Sequence, residues 1–246
     1  MTGMTKLVTR PPISLLLSCA AASLLAAGAT AQNSGQQRPP SAPAASWGAT
    51  VAEIDGGHRI GNPDAEGKLV EFMSYTCSHC AEFARNGEGA VKLLYVPTGK
   101  VSFEIRHLIR DPIDLTIALA AQCGTPIQFP GNHEALILKH PEWMAKAGKA
   151  TQAQTARWRF GSFGSRAQAI ASDLDLYDIM EKRGFSRAEL DRCLTDAEKA
   201  AAIASQSQAD VERYELRGTP TFVLNGKVLD AHDWRGIQPH LDQYFR

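Results

Sequence analysis

A Cys-x-x-Cys motif directly after an apolar segment is the feature that most limits the folds open to this chain. Residues 69–75 (LVEFMSY) are almost continuously apolar, which predicts a strand buried on both faces in the middle of a sheet. Cys77 and Cys80 follow, and a helix is predicted from this motif through Ala84. Two cysteines at this spacing can close a disulfide across one helical turn. A strand that leads into such a motif indicates a redox-active pair.

The composition is that of an ordinary globular protein. The chain has 246 residues, of which 44% are hydrophobic, and its 26 basic and 26 acidic side chains balance. A neutral chain has no charge excess to bring it to nucleic acid or to a charged membrane surface. The length suits one domain of medium size with an insertion.

The N-terminus has the layout of a secretory signal peptide. Two basic residues precede an apolar run over residues 13–27, and residues 29–31 (ATA) form a small-x-small cleavage site. We therefore predict a signal peptide over residues 1–31. A flexible linker rich in Gln, Ser, Pro and Ala is predicted over residues 32–50.

Two other interpretations of the N-terminus stay open. The apolar run could anchor the chain in a membrane, although it is shorter than the roughly 20 residues that a spanning helix needs. The residues before Cys19 resemble a lipidation signal, although they leave only a short apolar core before the cysteine. An exported chain that starts at residue 32 keeps four cysteines, an even number that permits two disulfides.

The predicted elements follow the order strand, helix, strand, long helical block, hairpin and helix. A short first strand is expected within residues 47–60, and the second central strand over residues 101–107. Asn225-Gly226 between two apolar runs predicts the hairpin. This order predicts an α/β protein with a thioredoxin fold and a helical domain inserted between the second central strand and the C-terminal hairpin. The expected domains are a thioredoxin-like domain (residues 51–111 and 206–246) and an inserted helical domain (residues 112–205).

The residues of the motif suit thiol–disulfide exchange, which requires a thiolate, an accessible sulfur and a partner thiol. If Cys77 caps the predicted helix, the free N–H groups and partial positive charge of the helix N-terminus lower its pKa. His79 adds a hydrogen-bond donor or a positive charge over the same turn. We predict that Cys77 is the nucleophile and that the less exposed Cys80 is the resolving thiol. A stabilised thiolate makes the disulfide a better oxidant.

A zinc half-site is the alternative interpretation of the same cysteines. Structural zinc takes four ligands, commonly from two such pairs. The sequence has neither a second CxxC nor a closely spaced pair of histidines. No metal ion and no cofactor is therefore expected.

Glu71 lies inside the predicted central strand, six residues before Cys77. A buried acid is costly unless it is paired or has a function. Glu71 could carry the proton to and from the Cys80 thiol during exchange. An ion pair with a base such as Arg106 or Lys68 is the other interpretation, and spacing alone favours neither.

Gly218-Thr219-Pro220 precedes the predicted hairpin. A proline is tolerated at the start of a strand, where a trans bond is the more common state. A cis Thr219–Pro220 bond would instead expose the Thr219 backbone beside the cysteines, where it could pair with an extended substrate.

Cys123 and Cys193 both fall in the predicted helical block. In an oxidising compartment, a structural disulfide between them would close a long loop and contribute a few kcal/mol. Two separate buried thiols are the alternative. We predict the disulfide.

The chain resembles the DsbA-like thiol:disulfide oxidoreductases of the bacterial periplasm. Residues 69–83 (LVEFMSYTCSHCAEF) carry the family pattern of strand, buried acid, CxxC and aromatic residue, and residues 218–222 (GTPTF) carry the pattern of the cis-proline loop. The resemblance implies the roles of nucleophile, resolving cysteine, buried acid and cis-proline for Cys77, Cys80, Glu71 and Pro220, respectively.

Two residues depart from the commonest oxidases of this family. Ser78 stands where those oxidases have proline, and Thr219 before the cis-proline resembles the disulfide isomerases as much as the oxidases. The direction of electron flow therefore stays open at this point.

The resemblance implies an enzyme that introduces disulfides into exported proteins with free cysteines in the periplasm. Its expected redox partner is a quinone-linked membrane reoxidase, and it is expected to be a monomer without a nucleic-acid partner. The alternatives are a disulfide isomerase or reductase, and a thiol-dependent chaperone or a metal-binding protein on the same scaffold.

Overall fold

The computed structural model describes residues 46–245, which are built around a six-stranded sheet. Its strands are β1 (Val51–Ile54), β2 (Gly57–Ile60), β3 (Gly67–Met73), β4 (Val101–His107), β5 (Thr221–Leu224) and β6 (Lys227–Val228). Their spatial order is β1-β2-β4-β3-β5-β6. β3 and β4 are parallel, and every other neighbouring pair is antiparallel.

β3 is a central strand, as its apolar sequence predicts. It lies between β4 and β5, so that Glu71 is opposite Ile105 on one side and Phe222 on the other. Leu69 and Phe72, which face opposite sides of the sheet, are both fully buried. The prediction of burial on both faces is confirmed.

The N-terminal part of the described chain differs from the expectation. The predicted signal peptide lies outside the described residues, as does most of the predicted linker, whose last part includes a 3-10 helix at Trp47–Ala49. The single first strand expected within residues 47–60 is instead the hairpin of β1 and β2. Asp55-Gly56 supplies its turn, and Gly56 takes a φ of +84°, which glycine adopts without strain.

The helix after the cysteine motif is longer than predicted. It begins as α1 (Ser78–Phe83) and continues through π-helical stretches at Ala84–Glu88 and Val91–Tyr95. A 3-10 turn at Val96–Thr98 then ends it. A π-helical turn in a helix often marks a functional site.

A block of helices fills the connection between β4 and β5, as predicted. It consists of α2 (Pro112–Ala121), α3 (Phe129–Leu138), α4 (His140–Gly148), α5 (Gln152–Arg159), α6 (Phe163–Asp173), α7 (Leu176–Glu181), α8 (Arg187–Leu194) and α9 (Ala197–Tyr214). The division into two domains stays a prediction. The boundary predicted between residues 205 and 206 falls inside the continuous helix α9.

The C-terminal elements match the expectation. β5 and β6 form the hairpin around Asn225, which takes a φ of +51°, and Gly226. Helix α10 (Trp234–Asp242) follows, with the Asp233 side chain accepting a hydrogen bond from the Gly236 N–H at its start. The fold is therefore a thioredoxin fold with a helical insertion.

One continuous cluster of buried apolar side chains joins the sheet, α1 and the helical insertion. It includes Leu69 of β3, Ile105 of β4, Phe83 of α1 and Ile137 of α3. Burial of each such side chain stabilises the fold by about 1.5–3 kcal/mol. This shared core therefore holds the insertion and α1 together with the sheet. Among residues 46–245, no helix is long and apolar enough to cross a membrane.

Candidate active site

Cys77 stands at the N-cap of α1, where the helix offers free N–H groups. Its backbone is extended (φ −95°, ψ 119°), and its carbonyl accepts the first hydrogen bond of the helix from the Ala81 N–H at 3.1 Å. Its side chain makes no capping hydrogen bond, but the nearby backbone N–H groups of His79 and Cys80 lower the pKa of its thiol. The residue thus occupies the position at which a helix stabilises an anion.

The surroundings of Cys77 favour its thiolate. A hydrogen bond from the Cys80 side chain is the largest cause that lowers the pKa of Cys77, to about 4. Burial opposes this shift, and the Thr219 side chain together with the two backbone N–H groups strengthens it. Since this pKa lies far below neutrality, Cys77 carries a thiolate at neutral pH.

Cys80 has the opposite character. Only 1% of its surface is exposed, against 6% for Cys77, and neither cysteine is in a disulfide in this structure. Burial raises the pKa of Cys80, and the nearby Cys77 and Glu71 raise it further. One cysteine of the pair is therefore an activated thiolate and the other a protonated thiol.

Thr219 and Pro220 lie beside the cysteines although they are far away in sequence. The Thr219–Pro220 peptide bond is cis. In its thiol form, the Cys77 sulfur donates a hydrogen bond to the Thr219 carbonyl oxygen at 3.2 Å. Helix α1 and the loop before β5 thus converge on a single sulfur atom.

Glu71 is buried in β3, with 1% of its surface exposed. Burial raises the pKa of its carboxyl well above the usual range, Glu88 raises it further and Lys92 lowers it. Its Oε2 atom has no hydrogen-bond partner among the described residues. Arg106, the base considered as its partner, instead bonds Asp210 through two nitrogens at 2.8 Å.

The His79 side chain lies at the surface of the site. The side chain is 76% exposed, and Nδ1 lies 3.9 Å from Oε2 of Glu82. Its contribution to the thiolate therefore comes from the backbone N–H, while the imidazole faces the open groove next to the site.

That groove has a volume of about 1290 Å³ and opens beside the cysteines. Phe83 of α1, the Thr219-Pro220 loop, Leu229 after β6 and Trp234 of α10 line it. His232 also lines it, and its Nδ1 lies 3.3 Å from the Pro220 carbonyl oxygen. His232 and Trp234 were not predicted as site residues, because no local sequence pattern places residues after β6 next to a motif about 150 positions earlier.

The turn before Cys77 is supported from behind by residues that the sequence analysis also missed. The buried Asp114 carboxylate accepts hydrogen bonds from the Ser74 hydroxyl (2.6 Å) and the Tyr75 N–H (2.8 Å). Arg110 donates to the hydroxyls of Ser74 and Thr76 at 3.0 and 2.9 Å. Burial raises the pKa of Asp114 to about 7 despite these bonds. Asp114 of the insertion and Arg110, just before it, thus hold the turn that presents Cys77.

His140, at the start of α4, is a further residue that the sequence analysis did not single out. It is buried, with a relative exposure of 8%. Burial and Arg85 lower the pKa of His140, whereas the charge of Cys77 raises it. The insertion therefore also contributes a titratable group to the electrostatic surroundings of Cys77.

Cys123 and Cys193 lie within the helical insertion, where a disulfide joins them with an S–S distance of 2.00 Å. They are 70 positions apart in the sequence. In the part of the chain that the structure describes, no group of three or more His, Cys, Asp or Glu side chains is arranged to hold a metal ion.

An activated cysteine at a helix N-terminus, a buried partner thiol and a cis-proline loop facing the sulfur define a thioredoxin-type dithiol site. The model of the family described as Thioredoxin matches residues 53–243. The chain therefore belongs to this family. With its helical insertion, it has the DsbA-like form of the thioredoxin fold.

Solved structures and curated sequences agree with this assignment. The crystal structure of a protein-disulfide isomerase from Novosphingobium aromaticivorans is 40% identical, with a TM-score of 0.74 over 79% of this chain and 100% of that chain. The structure of Wolbachia pipientis alpha-DsbA1 shares the fold, with a TM-score of 0.62 and 18% identity over 78% of this chain and 92% of that one. A Rickettsia conorii relative, provisionally named a protein-disulfide oxidoreductase, is 25% identical over 68% of this chain. The chain spans 52% of that relative's length.

Proposed function

We propose that the chain is a protein dithiol–disulfide oxidoreductase that introduces disulfides into exported proteins through Cys77 and Cys80. The observation that carries the proposal is the asymmetry of the two sulfurs. Cys77 sits at a helix N-terminus, next to the Thr219 carbonyl at 3.2 Å, while Cys80 is buried one turn further in.

The first step of the proposed reaction starts from the oxidised Cys77–Cys80 pair. A client thiolate attacks the more exposed Cys77 sulfur, a client–Cys77 disulfide bond forms and the Cys77–Cys80 bond breaks. Cys80 leaves as a thiolate, which its burial disfavours, so it takes up a proton. We propose that the protonated Glu71 carboxyl supplies that proton, since its raised pKa keeps it in the acid form.

In the second step, another thiolate of the client attacks the client sulfur of the mixed disulfide. A disulfide forms within the client, and Cys77 leaves as a thiolate. Its low pKa makes Cys77 a good leaving group. The client loses two electrons and the enzyme gains them, which returns the pair to the dithiol.

The same asymmetry supports the proposed direction of electron flow. Contacts that stabilise the Cys77 thiolate exist only in the reduced enzyme, because the disulfide has no charge to stabilise. They therefore favour reduction of the enzyme and oxidation of the client.

The groove beside the site is the proposed client site. Its apolar side chains suit an unfolded segment, and the free backbone groups of the Thr219-Pro220 loop suit pairing with an extended chain. A client cysteine bound along this loop would lie next to the Cys77 sulfur.

The proposed location is the periplasm, with a membrane reoxidase of the quinone-linked type as the electron acceptor and a monomer as the working unit. The predicted signal peptide over residues 1–31 supports export. An oxidant is required because each round of client oxidation ends with Cys77 and Cys80 reduced to the dithiol.

A disulfide isomerase or reductase is the second candidate function. It is favoured by the 40% identity to a protein whose structure is titled a protein-disulfide isomerase. The reduction potential of the Cys77–Cys80 pair, measured against glutathione, separates the two. We expect a value closer to about −120 mV, typical of a strong oxidant, whereas one near −270 mV would reject the oxidase.

Client capture separates both enzymes from the third candidate, a thiol-dependent chaperone. The variant Cys80→Ala keeps the nucleophile but cannot resolve a mixed disulfide. When it is given a client that already contains a disulfide, its Cys77 thiolate should attack that bond, release one client thiolate and accumulate a covalent client adduct that dithiothreitol releases. A chaperone without exchange activity would form none.

A further inference from the structure

A second pocket lies on the helical insertion, between the start of α2 and one face of α6. Residues 109–112, 115 and 116 line it on one side, and residues 163, 166, 167 and 170 line it on the other. We call it the α2–α6 pocket. It has a volume of about 260 Å³ and shares no lining residue with the groove beside the cysteines. Pockets for small molecules commonly measure about 300–1,000 Å³, so this one suits one or two side chains of a bound segment.

The walls of the α2–α6 pocket are mainly apolar. Leu115 of α2 and Phe163 and Ile170 of α6 belong to them. Ile170 is buried, whereas Leu115 and Phe163 pack against the core and remain partly exposed. Such walls suit an aliphatic or aromatic side chain, with a few polar groups to fix its orientation.

Two arginines supply the polar groups. Arg110, just before α2, and Arg166 of α6 both line the α2–α6 pocket. Among the described residues, neither guanidinium group forms a salt bridge with a carboxylate. The Arg166 Nε atom is shielded from solvent and has no hydrogen-bond partner in the same part of the chain. A shielded N–H without a partner is unfavourable, and a bound carboxylate would supply that partner.

The opposing charge in this pocket is already engaged. Asp111 is the only acidic residue among those that line it, all of which the structure describes. Its Oδ2 atom accepts a hydrogen bond from the Thr76 hydroxyl at 3.0 Å, and Oδ1 accepts one from the Asp114 N–H at 2.9 Å. Two guanidinium groups therefore outnumber a single carboxylate that is bonded elsewhere, and the α2–α6 pocket has an excess of positive charge.

Arg110 connects the α2–α6 pocket to the active-site turn. Its Nη2 donates to the Thr76 hydroxyl at 2.9 Å, and its Nε donates to the Ser74 hydroxyl at 3.0 Å. Thr76 immediately precedes Cys77 in the chain. A guanidinium group has more N–H donors than these two bonds use, so Arg110 can also bind an incoming group. A client segment bound at Cys77 thus reaches this pocket within a few residues, because an extended chain spans about 3.3 Å per residue.

We propose that the α2–α6 pocket is a specificity site, which binds an acidic side chain of a client together with a neighbouring aliphatic or aromatic side chain. The client carboxylate pairs with Arg166 and Arg110, since planar guanidinium groups suit hydrogen bonding with both oxygens of a carboxylate. The apolar side chain lies against the walls of the pocket. This inference deepens the proposed function and rests on it, because it names the clients that react fastest: those with an acidic–apolar pair near the reactive cysteine.

The test compares matched peptides that react with the oxidised enzyme. Each peptide has blocked ends, one cysteine and a Leu-Asp pair that is separated from the cysteine by a variable number of glycines. In the partner peptide, Asn replaces Asp. The rate of mixed-disulfide formation is divided by the rate of the same peptide with oxidised glutathione, which removes differences in thiol reactivity. At the best spacing, we expect the Asp peptide to react about fivefold faster, which is the upper range for an exposed ion pair.

Arg166 is the residue to change, because it makes no contact with the turn that presents Cys77. Arg166→Gln should lower the preference for Asp over Asn to about twofold or less. The matched control Arg192→Gln removes the same charge from an exposed position on α8 that does not line the pocket, and it should keep the wild-type preference. Arg166→Glu should instead prefer a peptide with Lys in place of Asp. A defect in folding would slow all peptides alike and would not reverse a preference.

The apolar part of the α2–α6 pocket is tested by changing the peptide. Ser in place of Leu should lower the rate with the wild-type enzyme about fivefold, because less apolar surface is removed from water. A cysteine-free peptide with the same Leu-Asp pair should slow the reaction of its parent peptide. Hexanoate, a small carboxylate with an apolar chain, should compete far less well, because it lacks the peptide that runs towards Cys77.

Three results would overturn the proposal. The first is equal rates for the Asp and Asn peptides at every spacing, and the second is a preference that survives in Arg166→Gln. The third is competition by hexanoate as strong as that of the cysteine-free peptide, which would assign the pocket to a small carboxylate. Failure of the oxidase proposal is seen separately, in the reduction potential of the Cys77–Cys80 pair, because the rate ratios between peptides do not depend on it.

Discussion

The two cysteine pairs of this chain lie at opposite ends of helices. Cys77 is the N-cap of α1, where the backbone N–H groups of the first turn lower the pKa of its thiol. Cys123 follows the C-terminal end of α2, and Cys193 is in the last turn of α8, where unpaired carbonyl groups gather. A helix N-terminus stabilises a thiolate and a C-terminus disfavours it. The comparison teaches that reactivity depends on where the backbone places a cysteine.

The largest expected effect is on catalysis. Cys77→Ala removes the sulfur that forms the mixed disulfide, so oxidation of a reduced client peptide should fall to the uncatalysed rate. The double variant Cys123→Ala/Cys193→Ala should keep activity within about threefold of wild type at temperatures below those at which it unfolds. The sulfurs that it lacks take no part in exchange. A similar loss of activity in both variants would break the comparison.

The second effect is on stability and concerns the other pair. The Cys123–Cys193 bond spans 70 positions in the sequence, so Cys123→Ala/Cys193→Ala should lower the free energy of unfolding by about 2–5 kcal/mol. Reducing Cys77–Cys80 in the wild type should not cause a comparable loss. Urea unfolding of each form, followed by circular dichroism, provides the measurement. A double variant as stable as the wild type would show that the bond contributes nothing.

The smallest effect, and the most specific, is on the titration of one sulfur. The pKa of Cys77 is lowered from 9.0 to about 4 in the folded protein. Its deprotonation therefore stabilises the reduced fold fully above pH 9, and this contribution is lost as the pH falls towards and through 4. Thiolate absorbance at 240 nm should show a single midpoint near pH 4, absent in Cys77→Ala. In Thr219→Ala, the midpoint should rise by less than about one pH unit, because the side chain that helps to lower the pKa of Cys77 is removed while the backbone carbonyl stays.

The control for that titration is Ser78, the exposed residue that follows Cys77 in the chain. Ser78→Ala leaves the backbone N–H groups and Thr219 in place, so its midpoint should match that of the wild type. A wild-type midpoint near the ordinary thiol value would contradict the account of the helix N-terminus.

Much of the fold can be predicted because its signals are local. The apolar run of β3, the CxxC motif and the Asn-Gly turn each identify their element within a few residues. Within the predicted helical block, α5 has the weakest apolar signal, because its sequence is polar and buries only Trp158. The capping box of Thr151 and Gln154 marks its start. The helix was predicted to end at Ala84, because the glycines that follow are typical of a helix end, but it continues beyond this residue.

The site was predictable only in part. The two cysteines and Glu71 lie within ten residues of one another. Asp114 and His133 come from helices about 40 to 60 positions away from the turn that they support. No periodicity in the sequence connects such residues, because side-chain pairing across that distance depends on how helices pack.

The sequence by itself determined which sulfurs exist, their spacing and the helix N-terminus that follows the first of them, because capping and strand propensity act over a few residues. The tertiary structure alone decided what surrounds those sulfurs. It brings Thr219 next to Cys77 across 142 positions, and it buries Glu88 against His133 across 45. The physical reason is that burial and electrostatic bias depend on distance in space, which only the packed sheet and insertion define.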